Sequence, residues 1–300
     1  MTADISVTAD APRPPTLGRP TVRPQEPARA AATPPKVVIK DVRFYYKKYE
    51  ALKGINLILH DKRVTAFIGP SGCGKSTLLR ILNRIYQLYP GQRATGEVLV
   101  DGRNILDAGQ DLNLLRAKIG MVFQESALFD SLTVAENVAF RLMEEHGVYD
   151  DEIDGRVREA LRFVELEHTT TLYPSELSGG MRRRVAIARA IITKPELLLY
   201  DSPTGGLDPV TSNTIIELIV KQRDVYKTSS LLVSHRLQDA FTMATHEYDL
   251  KTNQLRALPK GQYCEVPMSF LVLRDGKVIF DGDMRALVHS QDDYIREYIS

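Results

Sequence analysis

The chain of 300 residues is long enough for about two domains of average size. It is 43% hydrophobic and 26% charged, the composition of an ordinary soluble protein, and it is long enough to bury a sizeable core. Lys and Arg (39) almost balance Asp and Glu (38), so the net charge is +1. This balance excludes the basic excess of non-specific nucleic-acid binders, and we expect no nucleic-acid partner. Two cysteines, Cys73 and Cys264, exclude a disulfide framework and indicate a reducing compartment.

The first 35 residues form a segment of distinct composition. They contain eight of the 16 prolines and show no hydrophobic period, which predicts a disordered, partly polyproline tail. They also lack the apolar core of a secretory signal. Since no run of 18 apolar residues occurs in the chain, we predict no membrane-spanning helix. If the protein works at a membrane, another chain has to supply the span.

From residue 37 onward the sequence alternates between strand and helix patterns. Short apolar runs predict strands at 37–39, 55–59, 64–68, 98–100, 119–123, 197–200 and 230–233. Helical periodicity predicts helices over 76–86, 134–145, 151–164, 180–192 and 293–298. The helical block at 125–194 interrupts the strands, which predicts a subdomain docked on an α/β core. We expect an irregular segment at 244–267, and then a hairpin of strands 270–273 and 277–280.

One motif carries specific chemistry. The segment Gly69-Pro70-Ser71-Gly72-Cys73-Gly74-Lys75-Ser76 fits the pattern G-x-x-x-x-G-K-[ST] and lies between a buried strand and an amphipathic helix. Together with the next residue, Thr77, it supplies the predicted nucleotide-binding residues. The glycines let backbone N–H groups turn towards phosphates, Lys75 reaches the β- and γ-phosphates, and Ser76 places its hydroxyl on Mg²⁺. The motif therefore predicts a nucleotide site.

A second motif lies far downstream. The apolar strand at 197–200 ends in Asp201. In proteins with a phosphate loop, a carboxylate at this place holds Mg²⁺. We therefore expect a nucleotide and Mg²⁺ as cofactors, with Ser76 and Asp201 on the metal, and the resemblance described next implies that the nucleotide is ATP.

The segment Glu176-Leu177-Ser178-Gly179-Gly180-Met181 resembles the LSGGQ signature of ABC-type ATPases, with Met181 in place of Gln. The resemblance extends over residues 37–300. It implies an α/β fold, in which a P-loop NTPase (RecA-like) core carries an antiparallel β subdomain and an inserted helical signature subdomain. It also implies one nucleotide-binding domain over 36–300, with the helical subdomain at 125–194 and a hairpin and helix at 268–300.

The same resemblance assigns roles to other residues. It implies that Tyr46 stacks on adenine, and that Gln124 senses Mg²⁺ and the γ-phosphate and contacts the transport partner. It places the segment Gly205-Gly206-Leu207-Asp208 along a dimer interface, with Asp208 near the nucleotide. It places His235 at the γ-phosphate.

The signature itself implies a second subunit. Ser178, Gly179 and Gly180 cap a helix N-terminus, which is an anion site. In the family this site binds the γ-phosphate held by the other subunit, so that ATP joins two subunits and hydrolysis releases them. The resemblance thus implies a homodimer that sits on the cytoplasmic face of the cell membrane, attached to an integral membrane permease.

Position 202 departs from the family. Ser202 follows Asp201 where relatives carry the Glu that polarises the attacking water. Since general-base catalysis contributes about 10²–10⁴-fold, we expect slow hydrolysis. Three hypotheses remain. His235 organises the water, or an intact partner ATPase completes the work, or the site serves as an ATP clamp. A homodimer would exclude the second, because both of its sites lack Glu.

Two subfamily resemblances compete. Residues 51–100 are similar to phosphate-importer ATPases. Residues 126–134, 177–186 and 293–298 resemble the ATPases of mammalian-cell-entry (MCE) lipid transporters, and Met181 is typical of that group. The region after Gln124 touches the permease in the family, so we favour lipid transport, with an MCE-type substrate-binding protein as a further partner. Phosphate or another small solute is the alternative.

Soluble ATPases with this signature, which act on DNA or ribosomes, are a further alternative. The chain has neither the heptads nor the cysteine pairs of the first kind, and it has one ATPase module where the second usually has two.

Overall fold

The structure is a computed structural model that describes residues 35–146, 151–259 and 261–299. The predicted tail lies outside these residues, except for Pro35, which begins the first strand. The strands are β1 (Pro35–Tyr46), β2 (Tyr49–His60), β3 (Val64–Ile68), β4 (Gln92–Val100), β5 (Arg103–Asn104), β6 (Ile119–Val122), β7 (Leu197–Asp201), β8 (Ser229–Val233), β9 (His246–Asp249), β10 (Gln254–Ala257), β11 (Met268–Arg274) and β12 (Lys277–Gly282). The α-helices are α1 (Lys75–Leu82), α2 (Leu112–Ala117), α3 (Val134–His146), α4 (Asp151–Phe163), α5 (Gly179–Ile191), α6 (Pro209–Tyr226), α7 (Leu237–Thr245), α8 (Met284–Val288) and α9 (Asp293–Ile299).

A six-stranded sheet of order β12-β11-β3-β8-β7-β6 carries the functional loops. Its strands β11, β3, β8, β7 and β6 run parallel, and β12 is antiparallel at one edge. Every residue of β3, β7 and β8 is buried. This burial explains why their sequences are continuous apolar runs without alternation, as expected for parallel strands covered on both faces.

A second sheet, of order β2-β1-β4-β5, is antiparallel. The inward residues of β1 alternate with more exposed ones, and Val37, Ile39, Val42 and Phe44 are buried together with Leu78 of α1. This sheet and α1 therefore share one core with a face of the central sheet. The α/β class, with an antiparallel sheet and a helical subdomain, is confirmed.

Helices α3, α4 and α5 pack on one another, and α5 also contacts β6 and α6. The C-terminal part of α5 approaches β6 closely at Gly120, where an added Cβ would lie 2.5 Å from the carbonyl oxygen of Ala190. The lack of a side chain at position 120 is thus what lets this helix lie against the sheet. Within the described ranges, no helix is both long and apolar enough to cross a bilayer.

The prediction of one helix over 76–86 is wrong at its C-terminal end. Helix α1 ends at Leu82, Arg84 has φ +53, and a 3-10 turn follows at Ile85–Leu88. The Arg84 guanidinium Nη1 donates to the carbonyl oxygen of Ile105 at 2.7 Å. This tertiary contact fixes Arg84 outside the helix, while Tyr86 stays buried and preserves the apolar period.

The expected irregular segment at 244–267 contains a hairpin of β9 and β10, which contacts α6. The buried Arg223 of α6 donates from Nη2 to the carbonyl oxygen of His246 at 2.8 Å, and Asp224 Oδ2 accepts from the Tyr248 N–H at 2.8 Å. The hairpin is polar, so its pattern did not predict strands, and its position depends on these contacts with α6. Helices α2, α6, α7 and α8 were likewise not predicted.

Candidate functional site

Four loops converge because four parallel strands end at one edge of the central sheet. The loop 69–74 follows β3, Asp201 ends β7, His235 lies two residues beyond β8, and Gln124 lies two residues beyond β6. In sheets of this kind the carboxyl ends of the strands form the ligand crevice. The order β3-β8-β7-β6 therefore brings the predicted residues to one place.

The phosphate loop, residues 69–76, turns from β3 into α1 through glycine conformations. Gly69 has φ +146, and an added Cβ would collide with the carbonyl oxygen of Leu273. Gly74 has φ +112 and lies against Leu52. Pro70, Ser71 and Gly72 are exposed at the crest of the loop, and Cys73 is buried below it. Because α1 begins at Lys75, its unpaired N–H groups and its positive dipole end lie at this loop.

Lys75 is buried and is held by the loop itself. Its Nζ donates to the carbonyl oxygens of Gly69 and Pro70, each at 2.8 Å. Burial lowers the pKa of Lys75, and the nearby charges of Cys73 and Asp201 oppose that shift. The ammonium group thus lies in a site with carbonyl acceptors and a nearby carboxylate, where an anionic phosphate would favour its charged form.

Ser76 and Asp201 meet across the crevice. The Ser76 Oγ donates to Asp201 Oδ1 at 2.6 Å, although 125 residues separate them. A hydroxyl and a carboxylate are hard oxygen donors of the kind that Mg²⁺ binds beside phosphate oxygens. The described residues contain no group of three His, Cys, Asp or Glu that could hold a metal ion. The pair fits a magnesium ion that takes its other ligands from a nucleotide and water.

Gln124 and Ser202 both lie close to Gly205. A Cβ added at Gly205 would be 3.5 Å from the Gln124 Nε2 and 3.5 Å from the Ser202 Cβ. Gln124 is exposed, so its amide can reach towards a ligand in the crevice. The structure thus brings the Gln124 amide and the Ser202 side chain to the same glycine.

Ser202 has an unusual environment. Its φ is +49, a left-handed conformation that is uncommon for residues other than glycine, and it is 2% exposed. Its N–H donates to the carbonyl oxygen of Val233 at 2.9 Å. Its Oγ has no hydrogen-bond partner within the described part of the chain. The side chain therefore supplies a hydroxyl and no base at this position.

His235 is exposed beside these groups. Burial of its ring lowers its pKa below 6.5, the charge of Lys75 lowers it further, and the charge of Asp201 opposes both. The imidazole is therefore neutral at pH 7 and has one nitrogen free to accept a proton or a hydrogen bond.

A buried carboxylate behind His235 was missed by sequence reasoning. Asp239 is 3% exposed, and its Oδ2 accepts from the Thr204 Oγ1 at 2.6 Å and from the Ser234 Oγ at 2.8 Å. The Arg236 Nε lies 3.6 Å from its other oxygen. Asp239 thus ties the segment after Ser202 to the segment that carries His235. A lone Asp on an amphipathic helix gave no signal of this role.

Tyr46 stands beside α1. Its hydroxyl lies 2.9 Å from the Thr77 Oγ1, and its ring packs edge-on against Phe44 with centroids 5.0 Å apart. The ring is therefore fixed next to the end of the phosphate loop. A base bound there has an aromatic face available for stacking.

The signature segment, residues 177–181, caps α5. The Ser178 Oγ accepts from the Met181 N–H at 3.2 Å. Gly179 lies near Leu207, and an added Cβ at Gly180 would collide with Thr211 of α6. Within the described ranges, no hydrogen bond joins this segment to the phosphate loop. The two predicted anion sites of the chain thus lie on different elements, one at the start of α1 and the other at the start of α5.

Asp208 caps the neighbouring helix. Its Oδ1 accepts from the N–H groups of Val210 and Thr211, each at 3.0 Å, and its hydrogen bonds to Thr211 lower its pKa. The carboxylate therefore holds the N-terminus of α6 next to the signature segment. It makes no contact with residues 69–76 among the hydrogen bonds of the described chain.

Arg183 connects α5 to the crevice and was also missed. Its Nη1 donates to the carbonyl oxygen of Phe123 at 2.9 Å, and its Nη2 donates to that of Gly205 at 3.4 Å. Burial lowers its pKa, and the charge of Glu125 opposes this effect. The guanidinium thus links the signature helix to the segments that precede Gln124 and follow Ser202.

The chain has a phosphate loop after β3 of a parallel sheet and Asp201 at the end of β7, which is separated from β3 by β8. These features define a P-loop NTPase. The family described as ABC transporter matches residues 52–205, just over half of the chain. The chain therefore belongs to the family of ABC transporter ATPases. The matched residues include the phosphate loop, Gln124, Asp201 and Ser202.

Solved structures agree with this assignment. The dimeric ATP-binding cassette MJ0796, in a post-hydrolysis state bound to ADP and Pi, is 31% identical with a TM-score of 0.66, over 83% of this chain and 99% of that one. A dimeric structure of MJ0796 described as a bacterial ABC transporter cassette is 30% identical with a TM-score of 0.66, over the same shares. CbiO1 from Clostridium perfringens is part of the ABC transporter complex CbiONQ. It is 28% identical with a TM-score of 0.67, over 88% of this chain and 94% of that one.

Proposed function

We propose that this chain is the ATP-binding subunit of a membrane transporter, in which Mg-ATP joins two copies of the chain and drives a separate permease. The observation that carries the proposal is the pair of separate anion sites. The phosphate loop with Lys75 and the Ser76–Asp201 pair forms one, and the Ser178-capped helix forms the other. A second copy would bring its signature segment to the phosphate loop of the first.

The surface beside the signature supports this arrangement. Val210 is 76% exposed at the start of α6, next to Asp208. An exposed apolar side chain at a helix N-terminus is suited to burial against another subunit. The MJ0796 cassettes, which this chain resembles, are dimers. We propose the same for this chain, with ATP and Mg²⁺ between the copies.

Light scattering tests the dimer. We expect the chain to be a monomer without nucleotide and a dimer with Mg-ATP, and we expect Gly179→Asp to remain a monomer under both conditions. A Cβ at position 179 would lie 3.6 Å from Leu207, an ordinary contact distance, so we expect the variant to fold. The negative charge of the new aspartate would repel the γ-phosphate. Asn213→Asp, which adds an equal charge at an exposed position of α6, is the control. Dimerisation of Gly179→Asp with Mg-ATP would refute the proposed role of the signature.

A groove beside Gln124 supports permease binding. It has a volume of about 390 Å³, and its lining includes Leu88, Phe129 and Phe140. Leu88 is 67% exposed. Three arginines, Arg116, Arg141 and Arg189, also line it, whereas its lining contains no Asp or Glu. The groove therefore suits an amphipathic helix that presents apolar and acidic side chains.

Arg189 fixes the shape of this groove. Its two terminal nitrogens donate to the carbonyl oxygens of Ser126 at 2.9 Å and Ala127 at 2.8 Å, and its guanidinium lies 5.9 Å from the Phe129 ring centroid. Burial lowers the pKa of Arg189 to about 10, which still leaves it protonated at pH 7. Within the described ranges Arg189 has no carboxylate partner, so an acidic side chain of the permease would supply one.

Co-purification from detergent-solubilised membranes tests the groove. We expect the double variant Leu88→Ser/Phe129→Ser to recover at least tenfold less permease than the wild type, with unchanged ATP binding, because it removes the apolar contact. The control is Leu114→Ser/Leu250→Ser, which removes two equally exposed leucines from other elements. Equal recovery by both variants would show that the permease binds elsewhere.

For the cargo, we propose lipid transport of the MCE type, at the inner face of the cell membrane. The support is the sequence of residues 126–134, which includes the groove residues Ala127 and Phe129. Transport by the chain and its permease in vesicles, measured in parallel with a fluorescent phospholipid and with labelled phosphate, tests this choice. ATP-dependent movement of phosphate alone would favour the small-solute alternative.

A further inference from the structure

The C-terminal helix contacts the first residue of the phosphate loop. The backbone N–H of Gly69 donates to the hydroxyl oxygen of Tyr298, at an N–O distance of 3.1 Å. The two residues are 229 positions apart. Burial raises the pKa of Tyr298, so its phenol is neutral at pH 7 and carries a lone pair for this bond. The bond thus joins the end of β3 to the last turn of α9.

Gly69 is held at both of its backbone polar groups. Its N–H is bound by Tyr298, and its carbonyl oxygen accepts from the Lys75 Nζ at 2.8 Å. Gly69 has φ +146, and the carbonyl oxygen of Leu273 occupies the space where a Cβ would lie. The residue therefore has little room to change its conformation. A shift of Gly69 would therefore also shift the acceptor that positions the Lys75 ammonium.

Helix α9 is itself firmly anchored. Ile295 is 2% exposed and packs in one apolar cluster with Ile68, the residue before Gly69, and with Phe270. The rings of Tyr294 and Tyr298 are stacked, with centroids 6.2 Å apart and planes 16° from parallel. Tyr298 therefore presents its hydroxyl from a fixed position.

The preceding hairpin supports the same loop. The Gly276 N–H, in the turn between β11 and β12, donates to the carbonyl oxygen of Cys73 at 3.2 Å. The Arg274 guanidinium lies 4.2 Å from the centroid of the Tyr294 ring, which joins this hairpin to α9. Hairpin and helix thus support the phosphate loop at its start, at Gly69, and near its end, at Cys73.

We propose that Tyr298 is a positioning residue for nucleotide binding. Its hydroxyl sets the position of Gly69, and through Gly69 that of Lys75, before ATP arrives. This inference rests on the proposed function, since it requires that the loop binds the phosphates of ATP. It assigns to the last helix a role in ATP affinity that its distance from the motif in sequence does not suggest.

The test is the Tyr298→Phe variant of the full chain. Phe keeps the ring, the stack with Tyr294 and the apolar packing, and removes the acceptor of the Gly69 N–H. We expect the Kd values for Mg-ATP and Mg-ADP, measured by calorimetry, to rise three- to tenfold, which is the usual effect of losing one hydrogen bond. We expect kcat at saturating Mg-ATP to change less than twofold, and the amide of Gly69 to exchange faster in NMR.

Tyr294→Phe is the matched control, because it removes a hydroxyl from the other ring of the same stack. We expect wild-type Kd values for this variant. A tyrosine with a merely structural role would lower the Tm and leave the Kd unchanged. Wild-type Kd values and wild-type Gly69 exchange in Tyr298→Phe would overturn the inference. Failure of the wild type itself to bind Mg-ATP would instead refute the proposed function.

Discussion

Replacing Ser202 with glutamate is expected to raise steady-state Mg-ATP hydrolysis by about 10²–10⁴-fold, the range that a positioned general base contributes. Ser202 directly follows Asp201, whose Oδ1 lies 2.6 Å from the Ser76 Oγ. Both Ser202 and the Gln124 amide lie close to Gly205. A carboxylate at position 202 would thus be next to the water that attacks a γ-phosphate held by Ser76, Asp201 and Lys75.

The backbone at this position favours the experiment. Ser202 already adopts φ +49 as a residue with a Cβ, so Ser202→Glu adds no new backbone conformation. Its Oγ has no hydrogen-bond partner among the described residues, so the substitution removes no observed side-chain bond. The controls are Ser202→Gln, which has nearly the same shape and no basic group, and Lys75→Ala as the blank. Steady-state phosphate release is the measurement.

The outcome decides among the three hypotheses for this site. If the wild type equals the blank and Ser202→Glu hydrolyses, one residue disables an otherwise complete site, which favours an ATP clamp or an intact partner ATPase. If light scattering then shows a homodimer, the partner-ATPase hypothesis is excluded and the ATP clamp remains. If the wild type is already far above the blank, and Ser202→Gln is equally active, another group organises the water. The hypothesis assigns that role to His235, whose pKa is lowered by burial.

Replacing Lys75 with methionine is expected to weaken Mg-ATP binding by about 10²-fold or more, the usual effect of removing one partner of a buried charge pair. The Lys75 Nζ lies among the carbonyl oxygens of the loop, and the charges of Cys73 and Asp201 oppose the effect of its burial on its pKa. In the complex this ammonium would be the cation nearest the phosphates. Methionine fills a similar volume and supplies neither charge nor donor.

The same substitution is expected to leave folding nearly intact. Desolvation already lowers the pKa of Lys75, so the free chain loses little favourable charge interaction, and we expect a Tm within a few degrees of the wild type. Lys251→Met, at an exposed position in the turn between β9 and β10, is the control. Calorimetric titration with Mg-ATP is the measurement. Wild-type affinity in Lys75→Met would show that the phosphates bind away from this loop.

The sequence by itself determined the phosphate loop and the buried strands. The loop works through contiguous residues, since Lys75 bonds to carbonyl oxygens only five and six positions earlier, so its pattern is complete in one short segment. Strands β3, β7 and β8 are buried on both faces, which requires an unbroken apolar run. Local composition is sufficient evidence for both features.

Only the tertiary structure decided which groups meet. Residues that are distant in sequence meet in the Ser76–Asp201 pair, the Asp239 network and the Tyr298–Gly69 bond. No pattern in the sequence indicated the bond to Tyr298. The end of α1 at Leu82 likewise depends on the contact of Arg84 with Ile105. The physical reason is that periodicity reports which face of an element is buried, whereas the partner of each polar group is chosen by the packing of the elements.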